Sequence, residues 1–74
     1  MEFTVELVGL LHDGDGWYVN DVYKRETIET PDNPSQRMVL SRARAALGIH
    51  CKLRKEYDDF YRLDGSTLAL VIHE

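Results

Sequence analysis

The chain has 74 residues, 43% of them hydrophobic and 30% charged, and 13 acids against nine bases leave a formal net charge of −4. A chain this short forms one domain around one modest core, and its balance of apolar and charged residues excludes a disordered polymer. A lone cysteine, Cys51, excludes an internal disulfide; a reducing, cytoplasmic compartment is expected, for a single domain over residues 1–74 with no membrane partner, since no run approaches the roughly 18 apolar residues of a span.

In chain order, EFTVELVGLL alternates Phe3, Val5, Leu7, Gly9 and Leu11 with Glu2, Thr4 and Glu6, the period of a half-buried strand. Val8 and Leu10 make the second face of this strand apolar as well. HDGDGWYVND follows, with three acids, two glycines and an aromatic pair in ten positions. A calcium loop would continue with oxygen ligands at alternate positions and a late glutamate, whereas Trp17, Tyr18 and Val19 come next. The two Asp-Gly steps therefore predict a hairpin turn, and Trp17 to Tyr23 a second strand with an extension through Ile28.

TPDNPSQRMVLSRARAALG predicts the one helix, with Asn33 as N-cap, Pro34 in the first turn, Gln36 closing a capping box and Gly48 ending it. Val39, Leu40, Ala43, Ala46 and Leu47 share one face, Arg37, Ser41 and Arg44 the opposite one, with Arg42 at the edge. The stretch from Ile49 to Leu63 is extended but interrupted at Asp58-Asp59; after an Asp-Gly turn, STLALVIHE is apolar on both faces, as a central strand is. The expected fold is α+β: a two-layer β-β-α-β-β unit, an antiparallel sheet of about four strands with one helix on one face.

One helix covers one face of such a sheet. Val8, Leu10, Tyr18, Val22, Ala69 and Val71 are then available to the other, which calls for a homodimer or another protein as cover, or for the long side chains of Lys24 and Arg62 to lie over it.

Charge is segregated along the chain. Met1–Pro34, Ser35–Lys55 and Glu56–Glu74 carry −6, +6 and −4, and the central block has no acid at all. Arg37, Arg42, Arg44, Lys52 and Arg54 therefore form a candidate phosphate-contacting stripe for a nucleic-acid-binding module, unless the basic helix neutralises acidic strands of its own fold. Thirteen acids and a pI near 5.2 oppose a polyanion.

His12, His50, Cys51 and His73 have no zinc-site spacing, so neither a metal nor another cofactor is expected, and Cys51 is expected to be a small buried residue. Cys51 follows His50 directly and Lys52 and Arg54 favour its thiolate, but a domain this small has little room for a cleft, and the neighbouring acids Asp58-Asp59 suit a polar turn, so no enzyme and no small-molecule substrate are expected. Trp17, Tyr18, Tyr57 and Tyr61 are the candidate anchors of a protein interface.

GWYVNDVY, followed by ETIETPDN and a short helix, resembles the opening of small uncharacterised proteins of bacteriophages and mobile elements through its W-x-V-N-D run. The resemblance implies a phage-like accessory protein that binds host machinery, with Asn20 and Asp21 as shared residues, although an Asn-Asp pair in a strand also serves as a bulge or edge feature. The leading expectation is a small non-enzymatic protein-interaction module whose partner is a host protein or a second copy.

Overall fold

A computed structural model describes residues 1–74. Its elements are β1 (Glu2–His12), β2 (Trp17–Glu29), α1 (Gln36–Leu47), β3 (Leu53–Tyr57), β4 (Phe60–Leu63) and β5 (Leu68–His73), and the strands form one sheet in the order β2-β1-β5-β4-β3. Every neighbouring pair is antiparallel. The fold is α+β with one helix on one face, and β5 is the central strand that its two apolar faces predicted.

The sheet has five strands rather than about four. Asp58-Asp59 does more than interrupt an irregular strand, because Asp59 adopts φ 61 and Tyr57 pairs with Phe60 around it, folding Leu53–Leu63 into a hairpin of its own. Aspartate takes this left-handed conformation at lower cost than most side chains.

Ser35, not Asn33, caps α1: its hydroxyl accepts from the Met38 amide at 3.1 Å, while Asn33 sits at φ 54 in the turn before the helix. Gln36 is thereby released from a capping box and its amide donates instead to the Tyr61 hydroxyl. Gly48 ends the helix in the left-handed region, as its position predicted. Val39, Ala43 and Leu47 turn inward onto Phe3, Val5 and Ile28 of the first two strands and Leu70 and Ile72 of β5.

Tyr61 belongs to this core. It is 4% exposed, so it is not an interface anchor, and burial holds its hydroxyl above the usual tyrosine range. Its alternation in a short strand places it with Leu63 on the helix side.

The opposite face carries a second, smaller core. Val8, Leu10 and Ala69 are buried within the single chain, with Phe60 and Val71 packed against them. The expectation that Val8, Leu10 and Ala69 await a cover is therefore corrected: this chain covers them itself.

Two bulges in β2 shape that face. Tyr23 and Asn20 are extra residues, since Leu7 pairs with Lys24 but Val8 with Val22, and Gly9 with Asp21 but Leu10 with Val19. The phase of β2 flips at each. Val22 and Val19 thus stand with Val8 and Leu10, whereas Tyr18, opposite Leu11, lies on the other face and not with Val22 as simple alternation had it. Asn20 donates to Asp21 at 2.9 Å, so the Asn-Asp pair is a bulge on an edge strand.

Gly9 is the position at which the first bulge is locked. A Cβ there would lie 2.7 Å from Cε2 and 2.9 Å from the hydroxyl oxygen of Tyr23, whose ring covers the glycine backbone. Gly9→Ala is expected to cost no more than about 1 kcal/mol, because the atoms in the way are the outer edge of an exposed ring that can swing aside, and less than half as much in a Tyr23→Ala background. Denaturant unfolding of the four variants checks this; equal costs would show that the ring is not the obstacle. Leu70→Ala, at a fully buried site, is expected to cost about 2–5 kcal/mol by the same measurement.

Candidate binding surface on the helix-free sheet face

The helix-free face carries a neutralised cluster around Glu6 and an open end around Trp17, whose pocket also takes in Tyr57 and Phe60 although these stand level with Glu6 in strand register. At the first, Glu6 of β1 is almost fully buried yet charged, because Arg25 opposite it on β2 donates to Oε2 at 2.7 Å from Nε and approaches at 2.6 Å from Nη2. His73 of β5 lies 2.7 Å from the other carboxylate oxygen. The Arg25 hydrogen bond is the largest influence on the Glu6 carboxyl and lowers its pKa; burial opposes, and the His73 bond and the charges of both partners add.

The open end is aromatic. Trp17 opens β2, and the Arg62 guanidinium of β4 lies 4.2 Å from its ring centre, reaching across the β1 and β5 strands between them. His12 meets the same indole edge-on at 5.0 Å, and Tyr57 meets Phe60 edge-on at 5.8 Å. A pocket of about 220 Å³ lies among Leu10, Trp17, Tyr57, Phe60, Glu56 and Arg62. Trp17, Val19 and Val22 on β2 and Tyr57 on β3 border this end as exposed apolar side chains.

Arg62 also walls a second cleft of about 420 Å³, shared with Arg54, Asp64, Ser66 and Thr67. Arg54 and Arg62 are directly opposite each other across the β3–β4 pair, and neither has an acidic partner among the chain's ion pairs.

The sequence candidates are thereby separated. Trp17 and Tyr57 come together at one pocket; Tyr18 lies on the other face and Tyr61 in the core. The basic stripe is not continuous: Arg37 and Arg44 flank an open groove on α1 with Gln36, Leu40 and Ser41, while Arg54 is on the far side of the sheet. Arg42 is held by the Glu29 carbonyl at 2.6 Å, and Lys52 is exposed just ahead of β3.

Phe60, one of the aromatics the sequence offers for stacking on bases, and Leu10, of the second apolar face, line this pocket with Arg62, the one of the three that the sequence did not mark as a binding residue. The only signal for Arg62 was its length, which suited it to lie over an apolar surface, as it does over Trp17.

His12, His50, Cys51 and His73 stay apart, two of them engaged with Trp17 and Glu6. Cys51 is exposed rather than buried, because the turn after Gly48 buries Ile49 and leaves the next two residues outside. The HDGDG segment is the β1–β2 turn: Asp13 accepts from the Asp15 amide at 3.0 Å and its own amide donates to the Gly16 carbonyl at 3.3 Å, so its side-chain oxygen serves the turn. No helix is long and apolar enough to cross a membrane.

The Glu6 cluster makes the face pH-sensitive. A carboxyl whose folded pKa is below its unfolded value, here 4.5, contributes stability that is present above that value and lost as pH falls through the folded one. Glu6→Gln is expected to destabilise the protein at about pH 6 and to approach the parent's stability by about pH 3. Thermal unfolding across that range checks it; a pH-independent difference would mean that the carboxylate's ionisation is not what Arg25 and His73 stabilise.

Compared with protein families, curated proteins and solved structures, the chain matches none of them.

Proposed function

We propose that this protein is a small non-enzymatic protein-interaction module whose contact surface is the open end of the helix-free sheet face. One observation carries the reading: Trp17 and Tyr57, both exposed, wall one pocket with Phe60 on this face, and Val19 and Val22 are exposed on the β2 edge of the same face. Exposed aromatics around a small apolar pocket are what a partner's side chain anchors into, and Trp, Tyr and Arg dominate such contacts.

The partner is a different protein rather than a second copy. Val8, Leu10 and Ala69 are already buried in one chain, so the apolar centre of this face does not require self-association. The phage-like resemblance of GWYVNDVY fits a small accessory protein acting on host machinery, and stands here as part of the proposal.

A nucleic-acid-binding module using Arg37, Arg42, Arg44, Lys52 and Arg54 has less support. These side chains face two different ways, one is engaged by a backbone carbonyl, and acids rim both clefts beside Arg62.

Affinity capture from host lysate with three baits tests the reading: the parent, Val22→Asp/Tyr57→Ala, and Arg37→Glu/Arg44→Glu. The expected outcome is a protein retained by the parent and the helix variant but reduced about tenfold or more on the sheet variant. Retention that survives the sheet changes, or captured nucleic acid lost with the helix arginines, overturns it. Light scattering at micromolar concentration is expected to give 8.6 kDa; a mass twice that would make the partner a second copy.

A further inference from the structure

Resting on the protein-binding reading above, we infer that Arg54 and Arg62 form an anion-reading subsite beside the Trp17–Tyr57–Phe60 pocket, so that the partner segment presents a large apolar side chain next to one carboxylate. The two cavities adjoin at Arg62, which lines both. A ligand that fills the apolar pocket therefore has its next residue at the arginine cleft.

The cross-strand arginine pair has no charge partner inside the fold, and only Arg62 has another contact there, its stacking on Trp17. Like charges at directly opposed positions destabilise a sheet, and no acid of this chain pairs with either guanidinium although 13 acids are present. The contrast with Arg25 is direct, since that arginine, on the same face, is paired with Glu6 through Nε and Nη2. Stacking on Trp17 gives Arg62 a fixed position with its ring-facing side occupied. Its N–H edges and those of Arg54 remain to donate, and both arginines line the one cleft, so a carboxylate seated there meets donors from each.

The occupant is a single anionic group and not a run of phosphates. Glu56 lines the apolar pocket and Asp64 the arginine cleft, so a second negative charge on either side would face a carboxylate. Ser66 adds no donor, because its hydroxyl already donates to the Leu63 carbonyl at 3.2 Å.

The test uses the full chain and a displayed library of random heptapeptides, followed by titration of the enriched peptides against the fluorescence of Trp17, the sole tryptophan. The expected result is enrichment of sequences with Phe, Trp, Leu or Met within one or two residues of Asp or Glu, and a shift of Trp17 emission on binding. Replacing that acid by its amide should weaken binding at least about tenfold. Arg54→Gln, at an exposed position with no partner to lose, should weaken the acidic peptide about as much and leave the amide peptide unchanged, with Arg54→Lys in between. Enriched peptides without an acid preference, or an affinity indifferent to Arg54→Gln, overturn the subsite while leaving the protein-binding reading intact. No enrichment at all also overturns it, and so does tighter binding of a thymidine dodecamer than of any peptide, which would assign the arginines to nucleic acid.

Discussion

Burying β1 on both faces with a single helix available is the constraint that shapes this protein. Phe3 and Val5 pack under α1, while Val8 and Leu10 point the other way and are equally secluded. A 74-residue chain has no second helix to spend on the second face. It covers that face with strand side chains instead: Phe60 and Val71 lie on the buried residues and the Arg62 guanidinium reaches Trp17 above the strands between them. Such a cover is thin. Its border leaves Trp17, Val19, Val22 and Tyr57 exposed, and the binding surface proposed for this protein is that border.

The bulges of β2 decide which residues reach it. A regular strand would place Tyr18 with Val22; the extra residue at Asn20 sends Tyr18 to the other face and brings Val19 and Trp17 round to join Val22. Bulges also twist and blunt an edge strand, which a 13-residue edge needs if it is not to pair with a neighbour. Gly9 permits the first of them, because only a residue without Cβ leaves room for the Tyr23 ring against the backbone.

Electrostatics follows the same division. Charge that runs −6, +6, −4 along the chain is redistributed by folding into a satisfied cluster at Glu6, a basic groove on α1, and an unsatisfied arginine pair on the far side of the sheet. Because the basic block straddles the helix and β3, the fold splits it between two surfaces, so its linear density says little about the field at any one of them.

Local physics made much of this legible in advance. Period-2 alternation in EFTVELV, the Asp-Gly steps around Gly14 and Gly65, the amphipathic arginine helix ended by Gly48 and the two-faced run LALVI each act within a few residues, and each folds as its pattern dictates. Two aspartates reversing the chain at Asp59, the bulges at Asn20 and Tyr23, and the seclusion of Tyr61 depend instead on which strand lies alongside, and no spacing along the chain encodes that. The pairing of Arg54 with Arg62, and the meeting of Arg62 with a tryptophan 45 positions earlier in the sequence, come only from strand order and register. A side chain's surroundings are set by its neighbours across the sheet. For this protein the elements were written in the sequence, and the surface they compose was decided by the tertiary structure.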